Sequence, residues 1–91
     1  MSKYRKKPVV IEATQWWKHG DHHAVQHIPH MSHDVCNHVI KSGISVHDLG
    51  WCPTLEGGHI VNPGDWIITG VKGENYPCKP DIFAATYEAA E

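Results

Sequence analysis

A chain of 91 residues with formal net charge −2, 41% hydrophobic and 20% charged residues has the composition of one small globular domain. Its length leaves no room for separate catalytic and substrate domains, and four Trp with three Tyr are more aromatic anchors than a disordered chain carries. The charge balance is uneven, with Lys3, Arg5, Lys6 and Lys7 crowding the start while Glu88 and Glu91 sit at the end.

The basic start is short, and a solvated strand leader competes with a nucleic-acid contact as its explanation. No apolar run approaches the ~20 residues that a membrane span needs, and none follows the basic start as it does in a signal peptide. A soluble protein is expected. Cys36, Cys52 and Cys78 are an odd number, which argues for reduced thiols in a cytoplasm over a disulfide framework.

In chain order, "PVVIEAT" is rich in β-branched residues and predicts a strand, Val9 to Thr14. If the strand continues, Trp16 and Trp17 point to opposite faces, one into the core and one toward a second surface. Residues 18–53 read as an irregular insertion into a single domain spanning 1–91. Six of the nine His fall between His19 and His33, and apolar residues are sparse there. Helical turns are possible around Ala24 to Ile28 and Val35 to Ile40, and Pro29 forbids one continuous helix. An insertion this long in a small domain needs something to order it.

The second half is better punctuated. His59 to Val61 predicts a strand, "NPGD" places Pro63 and Gly64 at the centre of a turn, and Trp66 to Thr69 follows as the next strand. Gly70 and Gly73 bracket another turn before Asn75 to Cys78, where Pro77 suggests a sheet edge. "KPDIFAATYEAAE" predicts a closing helix, with Pro80 at its first position and Ile82, Phe83, Thr86 and Tyr87 on one face. The fold class is therefore α+β: a small antiparallel meander with a C-terminal helix and a His/Cys-rich insertion. Trp66, Ile67 or Ile68, Ile11, Phe83 and Tyr87 are the expected core.

Two constellations point to chemistry. His33 and Cys36 have the two-residue gap with which a knuckle grips a tetrahedral ion, and His47 with Cys52 follow at a fitting distance, so structural zinc is one expectation. Other pairings, Cys36 with His38 or His30 with His33, fit nearly as well. The second constellation is Lys72, Glu74, Tyr76 and Lys79, which fall within eight residues beside Gly73. Two lysines, a phenol and backbone amides after glycine suit a phosphate or nucleotide, whereas a charged hairpin that blocks edge pairing is the plainer explanation. Cys78 has no His near it in sequence and no identifiable orienting group, and the common phosphate-loop, dinucleotide and hydrolase motifs are absent. A non-enzymatic protein is expected, with a small metal-dependent hydrolase using Glu56 as base a minor alternative.

Two stretches, "YRKKPVVIEATQW" (Tyr4 to Trp16) and "TLEGGHIVNPGDWIITGVKGENYPCKPDIFAATYE" (Thr54 to Glu88), cover about half the chain and resemble a family of small accessory proteins encoded by tailed bacteriophages and prophages. The resemblance implies action in the cytoplasm of a bacterial host. It also implies a metal-ligand pattern whose positions fall here at His33, Cys36, His47 and Asn62, of which Asn62 is no thiolate and Cys52 is the alternative fourth ligand. The leading expectation is a binding protein that counters or redirects a host process, most concretely by sequestering an anionic ligand at Lys72, Tyr76 and Lys79. The runner-up is a zinc-stabilised adaptor for a host protein or nucleic acid, and self-association fits either.

Overall fold

A computed structural model describes residues 2–3 and 10–88. The basic residues Arg5, Lys6 and Lys7 and the start of the expected first strand at Val9 lie outside the described residues. Within them the chain is α+β, with five antiparallel strands and two α-helices.

β4 (Trp66–Thr69) is the centre of the fold. It lies between β1 (Glu12–Gln15) and β5 (Asn75–Cys78) in a three-stranded antiparallel sheet of order β1-β4-β5. Neighbouring residues on a strand face opposite ways, and Ile67 and Ile68 are both buried, so this strand is covered on both faces. On the Ile67 side the cover is a cluster of Trp16, Val25, Cys52 and Val61. On the Trp66 side it is α2 (Pro80–Thr86), whose Phe83 ring stacks on Trp66 at 4.0 Å between centroids.

The other strands, β2 (Gly50–Thr54) and β3 (Gly57–Val61), form a separate antiparallel hairpin. This corrects the expected arrangement, in which His59 to Val61 stood beside Trp66 to Thr69 in one meander. The turn at Pro63 and Gly64 passes the chain from one sheet to the other. Its groups are taken by Trp16, whose N–H donates to Asp65 O and whose carbonyl accepts from Gly64 N–H, both at 2.7 Å. The Trp16 backbone thus occupies the place that a third meander strand would need. Trp16 is fully buried and Trp17 is 57% exposed, as alternation requires.

Segment 18–53 is more ordered than its composition suggests. It contains α1 (His33–Ser42), capped by the Ser32 hydroxyl, which accepts from Val35 N–H, and ended by Gly43 in the left-handed conformation, whose N–H donates to Val39 O. It also contains all but the last residue of a strand at Gly50–Thr54, which sequence reading missed. Four links tie it down: the Asp21 carboxylate accepts from the Trp17 and Lys18 amides, Gln26 and Trp51 exchange both backbone bonds, His19 Nε2 lies 3.0 Å from Leu49 O, and His38 Nε2 lies 2.6 Å from Asn62 Oδ1. Val25, Val35 and Leu49 add buried apolar surface. Of the expected core, Ile67 and Ile68 are buried, while Ile11, Trp66, Phe83 and Tyr87 are half-buried. No described helix is long and apolar enough to cross a membrane.

Candidate functional site

The β4–β5 hairpin and the β2–β3 hairpin meet at their turn ends and leave a cleft of about 320 Å³ between them. One wall is the β2–β3 turn with Thr54, Leu55 and Glu56, together with His59 of β3; the other is Glu74 and the β5 residues Asn75, Tyr76 and Pro77. Local chemistry shapes each wall. The two-residue β2–β3 loop is closed by the Thr54 hydroxyl, which donates to Gly57 O at 2.6 Å and accepts from Glu56 N–H, while Gly57 supplies a φ of 114°. The tight loop projects Leu55, 97% exposed, at the rim of the cleft.

In the other hairpin, Gly70 N–H donates to Glu74 O at 2.8 Å, which fixes the alternation of bonded and non-bonded pairs along β5. Pro77, opposite Ile67, then falls at a non-bonded pair, where its missing N–H faces away from β4. A proline is tolerated there, and it lends an apolar surface to the cleft. Glu74 folds back so that its Oε2 accepts from Lys72 N–H at 3.0 Å. Its carboxylate also occupies the space a side chain at Gly70 would need. Tyr76 shares its face with Ile68 and α2, and burial, aided by hydrogen bonding with Tyr87 and by the nearby Glu74 and Cys78, pushes its phenol up to about 12.

The four residues expected to converge therefore divide. Glu74 and Tyr76 line the cleft; Lys72 is exposed on the turn and Lys79 points elsewhere. The Lys79 ammonium donates to Asp65 Oδ2 at 3.2 Å, beside a second hollow of about 230 Å³ that shares His59 and Pro77 with the first. Asp65 is buried, and the same oxygen accepts from Asn62 N–H at 2.9 Å, so Lys79 serves the turn before β4. Cys78 lines the second hollow, and burial, with Asp65 and Asp81 nearby, pushes its thiol up and away from the nucleophilic form.

The candidate metal ligands do not meet as a set. His33 and Cys36 lie on the first turn of α1, and His47 is exposed on the 3-10 turn Val46–Asp48. Cys52 is fully buried in the core cluster, where burial pushes its thiol up, disfavouring the thiolate a metal requires. Asn62, the position that the phage-family resemblance implied, is engaged with His38. Among the described residues no three His, Cys, Asp or Glu side chains are placed to hold a metal ion. The residues present thus do not fit the zinc site.

The histidine enrichment has partial structural explanations. His19 stacks on His27 at 3.8 Å and meets the edge of Trp16 at 5.3 Å. His22 Nδ1 accepts from Ala24 N–H, and burial together with the adjacent His23 pushes the His22 pKa down. Trp16 Nε1 and His19 Nδ1 are buried without a hydrogen-bond partner among the described residues.

The fold and cleft define a small α+β domain with a recess at the junction of two hairpins. No protein-family model, curated protein or solved structure matches the chain.

Proposed function

We propose that this protein is a non-enzymatic accessory binding protein that holds a small ligand in the cleft between the β2–β3 turn and β5. The observation that carries the reading is the cleft itself: about 320 Å³ is within the size range of small-molecule sites. Apolar Leu55 and Pro77 stand in it beside the polar groups of Thr54, Glu56, His59, Glu74, Asn75 and Tyr76, the mixture that gives a site both area and orientation. The resemblance of the two chain ends to phage accessory proteins extends the proposal: the ligand belongs to a bacterial host, and holding it in the host cytoplasm counters or redirects a host process.

Ligand binding is tested by thermal shift against a panel of cyclic and linear nucleotides, sugar phosphates, amino acids and polyamines. A His59→Trp variant, placing an indole in the cleft from an exposed position, serves as the blocked control. At least one compound class should stabilise the native protein and fail to stabilise the variant. Stabilisation by none, or equal stabilisation of both proteins, refutes the assignment of the cleft.

A further inference from the structure

We propose that β1 is a self-pairing edge through which two copies of this chain join antiparallel, running their sheets together in the order β5-β4-β1-β1-β4-β5. β1 ends the three-stranded sheet, and among the described residues no strand lies on its outer side. The ladder shows which groups face outward. Trp16 N–H donates to Asp65 O, the residue opposite it in the register, so the alternation turns Thr14 and Glu12 toward β4. The backbone N–H and C=O groups of Gln15, Ala13 and Ile11 then point away from the sheet. Such a row is a template for another strand unless Pro or Lys blocks it, and residues 11–15 contain neither. The other strands manage their edges. The outward residue in the middle of β5 is Pro77, which has no N–H to offer, and the outer side of β2 is taken by Gln26, which exchanges both backbone bonds with Trp51.

The occupant is a second copy because β1 is complementary to itself in one register. With Ala13 opposite Ala13 across a two-fold axis, Ile11 of each copy meets Gln15 of the other, and all three outward residues on each strand exchange bonds. The exposed Glu12 of each copy then stands beside the exposed Thr14 of the other. Sliding the copies two residues one way sets Glu12 against Glu12, like charges directly opposite. Sliding them the other way brings Trp17 to the place of an outward donor, and its N–H is already given to the Asp21 carboxylate. Ala13 shares the face of Ile68, its partner on β4, so the favoured register also continues that apolar face across the axis. A domain of 91 residues buries a small share of its surface alone, which gives such an extension a thermodynamic reason.

The experiment is sedimentation equilibrium of the full chain over a wide concentration range, with amide hydrogen exchange read by NMR at both ends of it. A monomer of 10.2 kDa should pass into a dimer of twice that mass. The Ala13 and Gln15 amides should gain protection in step with the dimer, while the Thr14 amide, bonded to β4, is protected in both states. Thr14→Lys, which sets an ammonium beside Glu12 of the other copy at two symmetric places, should tighten the dimer about three- to tenfold, and Thr14→Glu should loosen it by a similar factor. Ala13→Pro removes an outward donor and leaves the β1–β4 bonds in place, so it should give a monomer with the circular dichroism of the native fold. A chain that stays monomeric throughout overturns the proposal. Ala13 and Gln15 amides protected in the monomer overturn it too, since the chain would then cover its own edge. A dimer indifferent to both Thr14 variants places the interface elsewhere, and one that Thr14→Lys loosens rejects the register centred on Ala13.

Discussion

Lys72 and Lys79 look equivalent in sequence, and the structure makes them opposites, so replacing each by Met should separate them. Lys79 is 52% exposed, but the Asp65 side chain it meets at 3.2 Å is only 5% exposed. Removing the ammonium leaves that carboxylate with the Asn62 amide as its remaining bond among the described residues. An exposed ion pair contributes ~0.2–1 kcal/mol, while stranding a buried polar group costs about 1–3 kcal/mol. A half-exposed pair lies between, at about 1–2 kcal/mol. Lys79→Met should therefore lower Tm by roughly 5–12 °C in a domain of this size. Methionine keeps the length of the stem, and Lys79 makes no side-chain bond as the cap of α2, so the loss reports the charge. Lys72→Met, at an exposed position, should stay within about 0.5 kcal/mol. Thermal unfolding by circular dichroism reads both, and half-molar salt should narrow the gap by screening the exposed side of the pair. Equal shifts in the two variants, or a larger one at Lys72, would refute the division of the lysines.

Further outcomes follow from the core and from the titrating groups. A Cβ at Gly50 would press on Val25 Cγ1 and stand 3.1 and 3.2 Å from two ring carbons of Trp16, so Gly50→Ala should cost about 1–3 kcal/mol in urea unfolding. His22 has its pKa depressed below 6.5 in the folded state, so its contribution is complete above pH 6.5 and lost as pH falls through the folded value. Urea midpoints measured from pH 7.5 to 5 should fall less steeply in His22→Asn than in the native protein. Tyr76 has the opposite dependence: its pKa is raised from 10.0 to about 12, so stability falls as pH climbs between those values. Tyr76→Phe should flatten that loss, and spectrophotometric titration should show one phenol fewer ionising at the alkaline end.

What was legible in the sequence was local. The strand at Trp66, the turns at Gly64 and Gly73, and the C-terminal helix from Pro80 carry their signals within a few residues, and all three kinds of element are present. The Trp16 and Trp17 pair was legible because strand geometry forces neighbours apart. β2 was not, because "GWCPT" is short, contains Pro53 and buries only Gly50 and Cys52. Cys52 in a His-rich context suggests a ligand, yet its neighbours in space are Trp16, Val25, Val61 and Ile67, drawn from four other places in the chain. Val25 and Leu49 were illegible for the same reason: each is an isolated apolar residue with no period around it. The cleft was half legible, since Glu74 and Tyr76 belong to it, but its other wall begins at Thr54, some twenty residues earlier, and no local pattern joins the two.

The width of the cleft is set by residues that do not line it. A two-stranded hairpin is marginal alone, so the β2–β3 wall stands where it does because Cys52 and Val61 are buried against Trp16 and Ile67. The Gln26 and Trp51 backbone bonds at 2.9 and 2.8 Å hold the outer side of β2, and the His38 to Asn62 link holds the end of β3 to α1. The opposite wall, β5, is registered on β4 and backed by α2 through Tyr76 and Tyr87. Both walls therefore rest on β4, whose Ile67 and Ile68 anchor one layer each. That arrangement separates the tasks of the chain. The core keeps two hairpins at a fixed separation, and exposed residues such as Leu55, Glu56 and His59 can determine what enters between them without contributing to the packing that holds them apart.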